Sequence, residues 1–189
     1  MDQILEKLFE STPKVRILRL FLHNLDYNFT IGEISKRTQI NNSSSRKELE
    51  KLIKLGVIKS KIAFVKKKIE KPAKPGKKAP KAIIKSHKEK VFWTNKNFEL
   101  FFELKELITR SSTTSQRRLL NLIKRLGRVK LAILAGVFIN HENSRTDLLI
   151  VGDDITKRKI DSFLAKVESD LGRSVEYALM DTDEFKYRM

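Results

Sequence analysis

Between Lys66 and Lys90 the chain carries eleven lysines and only two glutamates, a net +9 of the whole chain's +17. The middle of this stretch, Lys71-Pro72-Ala73-Lys74-Pro75-Gly76-Lys77-Lys78-Ala79-Pro80, has no large apolar side chain to bury, and its three prolines withhold backbone donors. No core can run through it. The chain must therefore fold as apolar patterns on either side of a charged excursion, and the spacing predicts an extended loop there. A solubilising surface loop is the plain reading. The lysine excess and the Pro-Gly spacing also fit an arm that reaches a polyanion.

Composition narrows the rest. Of 189 residues, 40% are apolar and 33% charged, which suits neither a disordered polyelectrolyte nor a membrane protein. No apolar run approaches the roughly 18 to 20 residues needed to span a bilayer, and Met1-Asp2-Gln3 lacks the basic start of a signal peptide. A cytoplasmic protein is the expectation. With no cysteine and three histidines, disulfides and thiol chemistry are excluded, and a histidine-rich metal site is unexpected. His23, His87 and His141 carry no motif.

Before the excursion the pattern is helical. Ile4, Leu5, Leu8 and Phe9 share a face that Pro13 interrupts, and Val15 to Leu22 continue as a strongly apolar helix. Thr30-Ile31-Gly32-Glu33 is a capping-box signature opening a short helix that Thr38-Gln39-Ile40 breaks. A third helix is predicted from Ser43 to Leu55, with Leu49, Leu52 and Ile53 inward and Ser45, Arg46, Lys47 and Lys51 exposed. Gly56 stops it. Strands follow at 57–65 and, beyond the lysines, at 91–94, giving a hairpin with a long basic tip. Two helices across a tight turn and then a hairpin are the parts of a winged helix-turn-helix. Short or donor-rich side chains at Asn42, Ser43, Ser45, Arg46, Lys47 and Lys51 suit a helix lying in a major groove, with Arg46 the best candidate for a base edge or a phosphate. Lys66, Lys67, Lys68, Lys71, Lys74, Lys77, Lys78, Lys81 and Lys85 would meet the backbone. Protein docking is the competing use of such a module.

Asn97 to Ile108 is dense in Phe and Leu and reads as a connecting helix packed on a neighbouring domain, and Ser111-Ser112-Thr113-Thr114-Ser115 reads as a hinge. A helix around Leu119 to Leu126 comes next, then strands at 129–134 and 147–152, a helix at 156–171 closed by Gly172, a strand at 175–180 and a last helix from Asp181. Alternation of this kind predicts a small α/β domain.

The N-terminal pattern, Leu8 to Leu22, then Phe29 to Ile34, then Arg46 to Ile58, resembles the helix-turn-helix domain fused ahead of nucleotidyltransferase-like domains in prokaryotic regulators. The C-terminal order resembles the minimal nucleotidyltransferase domain of the polymerase-beta-like superfamily. Active members carry Gly-Ser at the first turn and three carboxylates that hold divalent metals for nucleotidyl transfer. Here the first turn is Gly136-Val137. Ser144-Arg145-Thr146-Asp147-Leu148 stands where Ser-Asp-x-Asp-Leu would be, and Glu176 loosely matches the third carboxylate. A guanidinium at Arg145 reverses the charge a metal requires. The resemblance thus implies a disarmed site, with Arg145 paired to Asp147 or Glu176 or touching a phosphate, and with no catalytic residue, metal or cofactor.

The expected fold is mixed α/β: a winged helix-turn-helix over residues 1–96 with its wing at 66–90, a connecting helix and hinge over 97–115, and a nucleotidyltransferase-like domain over 116–189. The expected function is that of a DNA-binding, transcription-regulator-like protein. Its partner would be double-stranded DNA, and a palindromic site would call for a homodimer; no membrane partner is expected. The competing readings are a metal-dependent nucleotidyltransferase and an RNA- or ribosome-associated protein, since phosphate attraction alone does not separate DNA from RNA.

Overall fold

Capping residues set where the first helices begin and stop. The computed structural model describes residues 2–69, 83–110, 116–139, 141 and 144–188. After α1 (Asp2–Leu8), α2 (Thr12–His23) starts with Pro13 in its first turn, where no backbone donor is needed, and Ser11 Oγ accepts from the Lys14 amide at 3.2 Å. The capping box expected at α3 (Ile31–Thr38) is complete. The Glu33 amide donates to Thr30 Oγ1 at 3.3 Å, and the Thr30 amide donates to Glu33 Oε2 at 2.8 Å. Gln39 closes α3 in a left-handed conformation, and Asn41 caps α4 (Asn42–Lys54), its side-chain oxygen accepting from the Ser44 amide at 2.8 Å.

These helices bury Phe21, Ile34, Leu49 and Leu52 against one face of an antiparallel sheet of order β1-β3-β2, formed by β1 (Phe29–Thr30), β2 (Ile58–Ile69) and β3 (Ile83–Thr94). Phe101 and Ile108 of α5 (Phe101–Arg110) complete that core. The hairpin strands run further than the sequence pattern suggests. Lys66, Lys67 and Lys68 continue β2, and Lys85, Lys88 and Lys90 belong to β3. Ile69, Ile83 and Ile84 are residue types that favour extended backbone, which helps the strands run on past the lysines. The two-residue β1 has no periodic signal of its own and exists through pairing with Val91 and Phe92.

The second half holds α6 (Gln116–Lys124), β4 (Arg128–Leu134), a 3-10 turn (Gly136–Phe138), β5 (Leu148–Asp153), α7 (Lys157–Leu171), β6 (Tyr177–Met180) and α8 (Thr182–Arg188). β4 pairs antiparallel with β5, with a bulge between Val129 and Leu131, and β5 pairs parallel with β6 across the α7 crossover. A separate core forms from Leu119, Ile123, Leu148, Ile150, Ile160, Phe163 and Val167. The chain is thus mixed α/β, with several helices and two small sheets. The segment read as a hinge, Ser111 to Ser115, lies outside the described residues.

The halves meet across a polar seam between α2 and the end of α7. The Asp170 carboxylate, 5% exposed, pairs with Arg16 at 2.9 Å and Arg118 at 3.1 Å, and Arg19 donates to the Asp170 carbonyl at 2.7 Å. Asn24 donates to the Gly172 carbonyl at 2.9 Å. Gly172 takes a φ of +72°, and a Cβ there would stand against the Arg19 backbone, so only glycine both ends α7 and lets it approach. At the same seam, burial, followed by the charges of Arg173, Arg19 and Lys105, pushes His23 from 6.5 down to about 3.

Two outcomes follow from the seam. Removing the buried Asp170 carboxylate takes away charge-assisted bonds to half-buried Arg16 and exposed Arg118, so Asp170→Ala should lower unfolding free energy by about 2 kcal/mol, read from urea denaturation. For His23 the unfolded chain takes up a proton below about 6.5, whereas the folded chain does so only near 3. Stability is therefore complete above 6.5 and falls as pH drops through that window, with a slope of up to about 1.4 kcal/mol per pH unit. Urea midpoints at several pH values should give a shallower slope for His23→Gln than for the parent chain.

Candidate nucleic-acid interface

The turn at residues 39–41 sets α4 beside α3 with its polar N-terminus outward. Asn41, Asn42, Ser43 and Ser44 open the helix, and no acidic residue occupies its first turn, so the positive end of the helix dipole meets no local countercharge. Asn42 and Ser43 are exposed, and Asn42 Oδ1 accepts from Ser35 Oγ at 2.6 Å, which orients its amide group. Arg46 and Lys47 are exposed one turn on. Lys51 is half-exposed, its ammonium 2.9 Å from Glu48.

Ser45 does not belong to this row. It is fully buried, with its hydroxyl 3.4 Å from that of Ser35, and it shares the inward face of Glu48, Leu49 and Leu52. The expectation that Ser45 is exposed is therefore corrected. Its small side chain lets α3 and α4 come together, and a polar residue on an inward face reads in sequence as a solvated one.

A groove of about 390 Å³ separates α4 from the hairpin. Ile31, Leu49, Ile53 and Phe92 form its apolar lining, while Arg46 and Glu50 stand on the helix wall and Lys90 and Glu89 on the hairpin wall. On that side of the hairpin Lys90 lies 5.6 Å from the Phe92 ring centroid and Lys88 lies 5.5 Å from that of Phe64, and on its opposite face Lys61 lies 5.4 Å from that of Trp93. Rings hold these ammonium groups along the arm. Glu89, the acid within described β3, is engaged by His87 at 2.9 Å. Of the other lysines proposed to touch phosphate, Lys66, Lys67 and Lys68 sit in β2 and Lys85 in β3, whereas Lys71, Lys74, Lys77, Lys78 and Lys81 lie outside the described residues.

The pocket anticipated in the C-terminal half is closed by its own backbone. Asp147, 6% exposed, accepts from the Val137 amide at 3.0 Å through Oδ1 and from the Glu176 amide at 2.9 Å through Oδ2. Its amide donates to the Glu176 carbonyl at 2.7 Å, and its carbonyl accepts from the Ala135 amide at 2.7 Å. Gly136, at φ +47°, is forced by this closure, since a Cβ there would fall on Asp147 Oδ1. The partners expected for Asp147 are corrected accordingly: backbone amides hold its carboxylate, while Arg145 and the Glu176 side chain are exposed. Among the described residues, no group of three or more His, Asp or Glu side chains is placed to hold a metal ion. At the other end of β5, the Lys130 ammonium at 2.8 Å and then Thr182 hold the Asp153 carboxyl down at about 2.

Among the described residues, no helix is long and apolar enough to cross a membrane. No protein-family model, curated protein or solved structure matches the chain. Sequence pattern singles out α4 and the arm as candidates; the groove between them depends on contacts that no local pattern encodes.

Because both Asp147 oxygens accept charge-assisted hydrogen bonds, Asp147→Ala should cost about 3 kcal/mol of stability, and Mg²⁺ or Mn²⁺ should leave the parent melting temperature unchanged. Differential scanning fluorimetry with and without each ion, for both chains, checks both parts.

Proposed function

We propose that the chain is a DNA-binding, transcription-regulator-like protein. In this reading α3 and α4 are a helix-turn-helix, and α4 presents Asn42, Ser43, Arg46 and Lys47 to a major groove. The β2–β3 hairpin is its wing and follows the phosphate backbone. The C-terminal unit is a nucleotidyltransferase-like scaffold whose Asp147 serves the fold.

The observation that carries this reading is the pairing of Arg46 and Lys90 across one groove, between a helix start free of acids and a lysine-rich hairpin. Arg46 and Lys90 can each meet a phosphate passing between helix and wing, with Glu50 and Glu89 of the same groove confining it to the cationic side chains. Exposed, donor-rich side chains on α4 then lie where base edges would be read. Most of the favourable free energy would come from counterion release, so affinity should fall steeply with salt.

Fluorescence anisotropy tests the proposal, with a labelled duplex and an RNA hairpin of equal length at low and near-physiological salt. The parent chain should bind the duplex at both salt concentrations and prefer it to RNA. The pair Arg46→Ala and Lys47→Ala should weaken duplex binding by more than about tenfold and flatten the logarithmic salt dependence by close to two, about 0.9 for each phosphate that is no longer neutralised. A chain with residues 70–82 replaced by Asn-Gly should bind more weakly, with a flatter slope. Unchanged duplex affinity in the Arg46/Lys47 variant, or an equal or greater preference for RNA, would overturn the reading.

A further inference from the structure

One row of the hairpin continues the core outward after the core has ended. Ile58, Phe92 and Thr94 lie on the face of the sheet that meets the helices, and all three are buried. The register carries the same face along the arm through the cross-strand pairs Ile62–Lys90 and Phe64–Lys88. There Ile62 is 73% exposed and Phe64 71% exposed. Single exposed apolar side chains are ordinary. Two at alternate positions on one row, beside the groove of the proposed helix and opposite two lysines, are a patterned surface.

We propose that Ile62 and Phe64 form an apolar wedge that enters the minor groove, parts the base stack and bends the duplex held by α4. The inference rests on the DNA-binding reading above and adds to it a partner geometry: deformed duplex rather than a straight one. Three observations favour this occupant. Lys88 and Lys90 are the direct cross-strand partners of the two apolar residues, so any surface covering Phe64 and Ile62 also covers two ammonium groups. A nucleic-acid backbone supplies a phosphate beside each step it exposes, whereas an apolar protein surface would leave both charges uncompensated. Residues two apart on a strand stand about 6.8 Å from each other, close to twice the roughly 3.4 Å rise of stacked bases, so the pair addresses steps in register with the duplex. Finally, Lys88 lies over the Phe64 ring at 5.5 Å. When that ammonium moves to a phosphate, the ring face it covered becomes free to stack on a base. Wedges of Phe and Ile between base steps kink DNA toward the major groove, the side on which α4 would lie.

The experiment uses the full chain and a duplex of roughly 30 base pairs, rich in A·T and containing several flexible TA steps, with a donor and an acceptor dye at its ends. Anisotropy reports binding, and energy transfer at saturating protein reports bending. The parent chain should raise energy transfer. Ile62→Ser with Phe64→Ser should weaken binding by about tenfold yet still saturate, and should lose most of the rise. Phe64→Trp alone should keep it. Both residues are exposed, so an unchanged circular dichroism spectrum and melting temperature will certify the fold of each variant.

Saturable binding by the parent with no change in energy transfer, or full bending by the double Ser variant, would overturn the wedge while leaving the DNA-binding reading intact. No binding of the duplex by the parent would overturn the DNA-binding reading and the wedge with it. A concentration-dependent dimer, seen by sedimentation in the parent and abolished in the double Ser variant, would overturn the wedge by assigning the row to a second copy of the chain.

Discussion

The contact between the two halves centres on one buried carboxylate, Asp170. Each half has an apolar core of its own, one built on α2, α4 and the hairpin base, the other on α6, α7 and β5. Among the described residues, no continuous apolar core joins them. Polar contacts join them: Asp170, taken by Arg16 and Arg118 through its side chain and by Arg19 through its carbonyl, and Asn24, which donates to the Gly172 carbonyl. In a chain of net charge +17, arginines crowded at one seam would repel one another unless an acid stood between them. Such a buried cluster adds little stability beyond what apolar residues of the same volume would supply, but it admits few alternative arrangements of its members. The close approach at Gly172 works the same way, since a side chain there would push α7 away from α2 and open the cluster to water.

The arm answers a different constraint. A two-stranded ribbon beyond the body has little apolar surface to bury and relies on cross-strand pairs, here a ring-to-ammonium pair at Phe64–Lys88 and a His87–Glu89 contact along one strand. β2 is also an edge strand, whose unpaired backbone groups invite another strand. Lysines along it discourage that pairing whatever else they bind. The same residues thus guard an edge and present positive charge, so their number alone says little about a ligand. Their position beside α4 says more, because edge protection would be served equally well by an arm pointing anywhere.

Local chemistry makes much of the fold legible. Pro13, the Thr30–Glu33 box, Asn41 and Gly172 each mark a boundary through atoms within a few residues and are readable from the amino-acid order, whereas the Ser11 cap emerges only from the structure. Hairpin length is not legible, because lysine is a weak strand former and its runs read as loop although β2 and β3 continue through them. Ser45 misleads for the reverse reason: a small hydroxyl on an inward face has the same letter as one in solvent. Asp170 gives no signal, since its partner Arg16 lies 154 residues away in the chain. Asp147 is legible as a strand-end carboxylate. Its role is not, because the amides it binds belong to Val137 and Glu176 on two other segments.

Acids and bases are sorted by position, and that sorting gives the surface its character. Asp170 lies in the seam, Asp147 between backbone amides, Asp153 against Lys130 and Thr182, Glu33 in its capping box, and Glu168 accepts from the Val175 amide at 2.9 Å. Each of these carboxylates is engaged within the fold. Asp170 and Asp153 lie beside cations that offset their fields, while Asp147, Glu33 and Glu168 keep their charge but sit away from the start of α4 and the arm or are turned to backbone amides. The start of α4 and the described arm have few acids beside their cations, so positive potential concentrates there. A polyanion arriving at this face would meet Arg46, Lys47, Lys88 and Lys90 before any carboxylate but Glu50 and Glu89, and Glu89 already holds His87. The proposed interface is thus a consequence of where the fold needs its acids as much as of where the sequence puts its lysines.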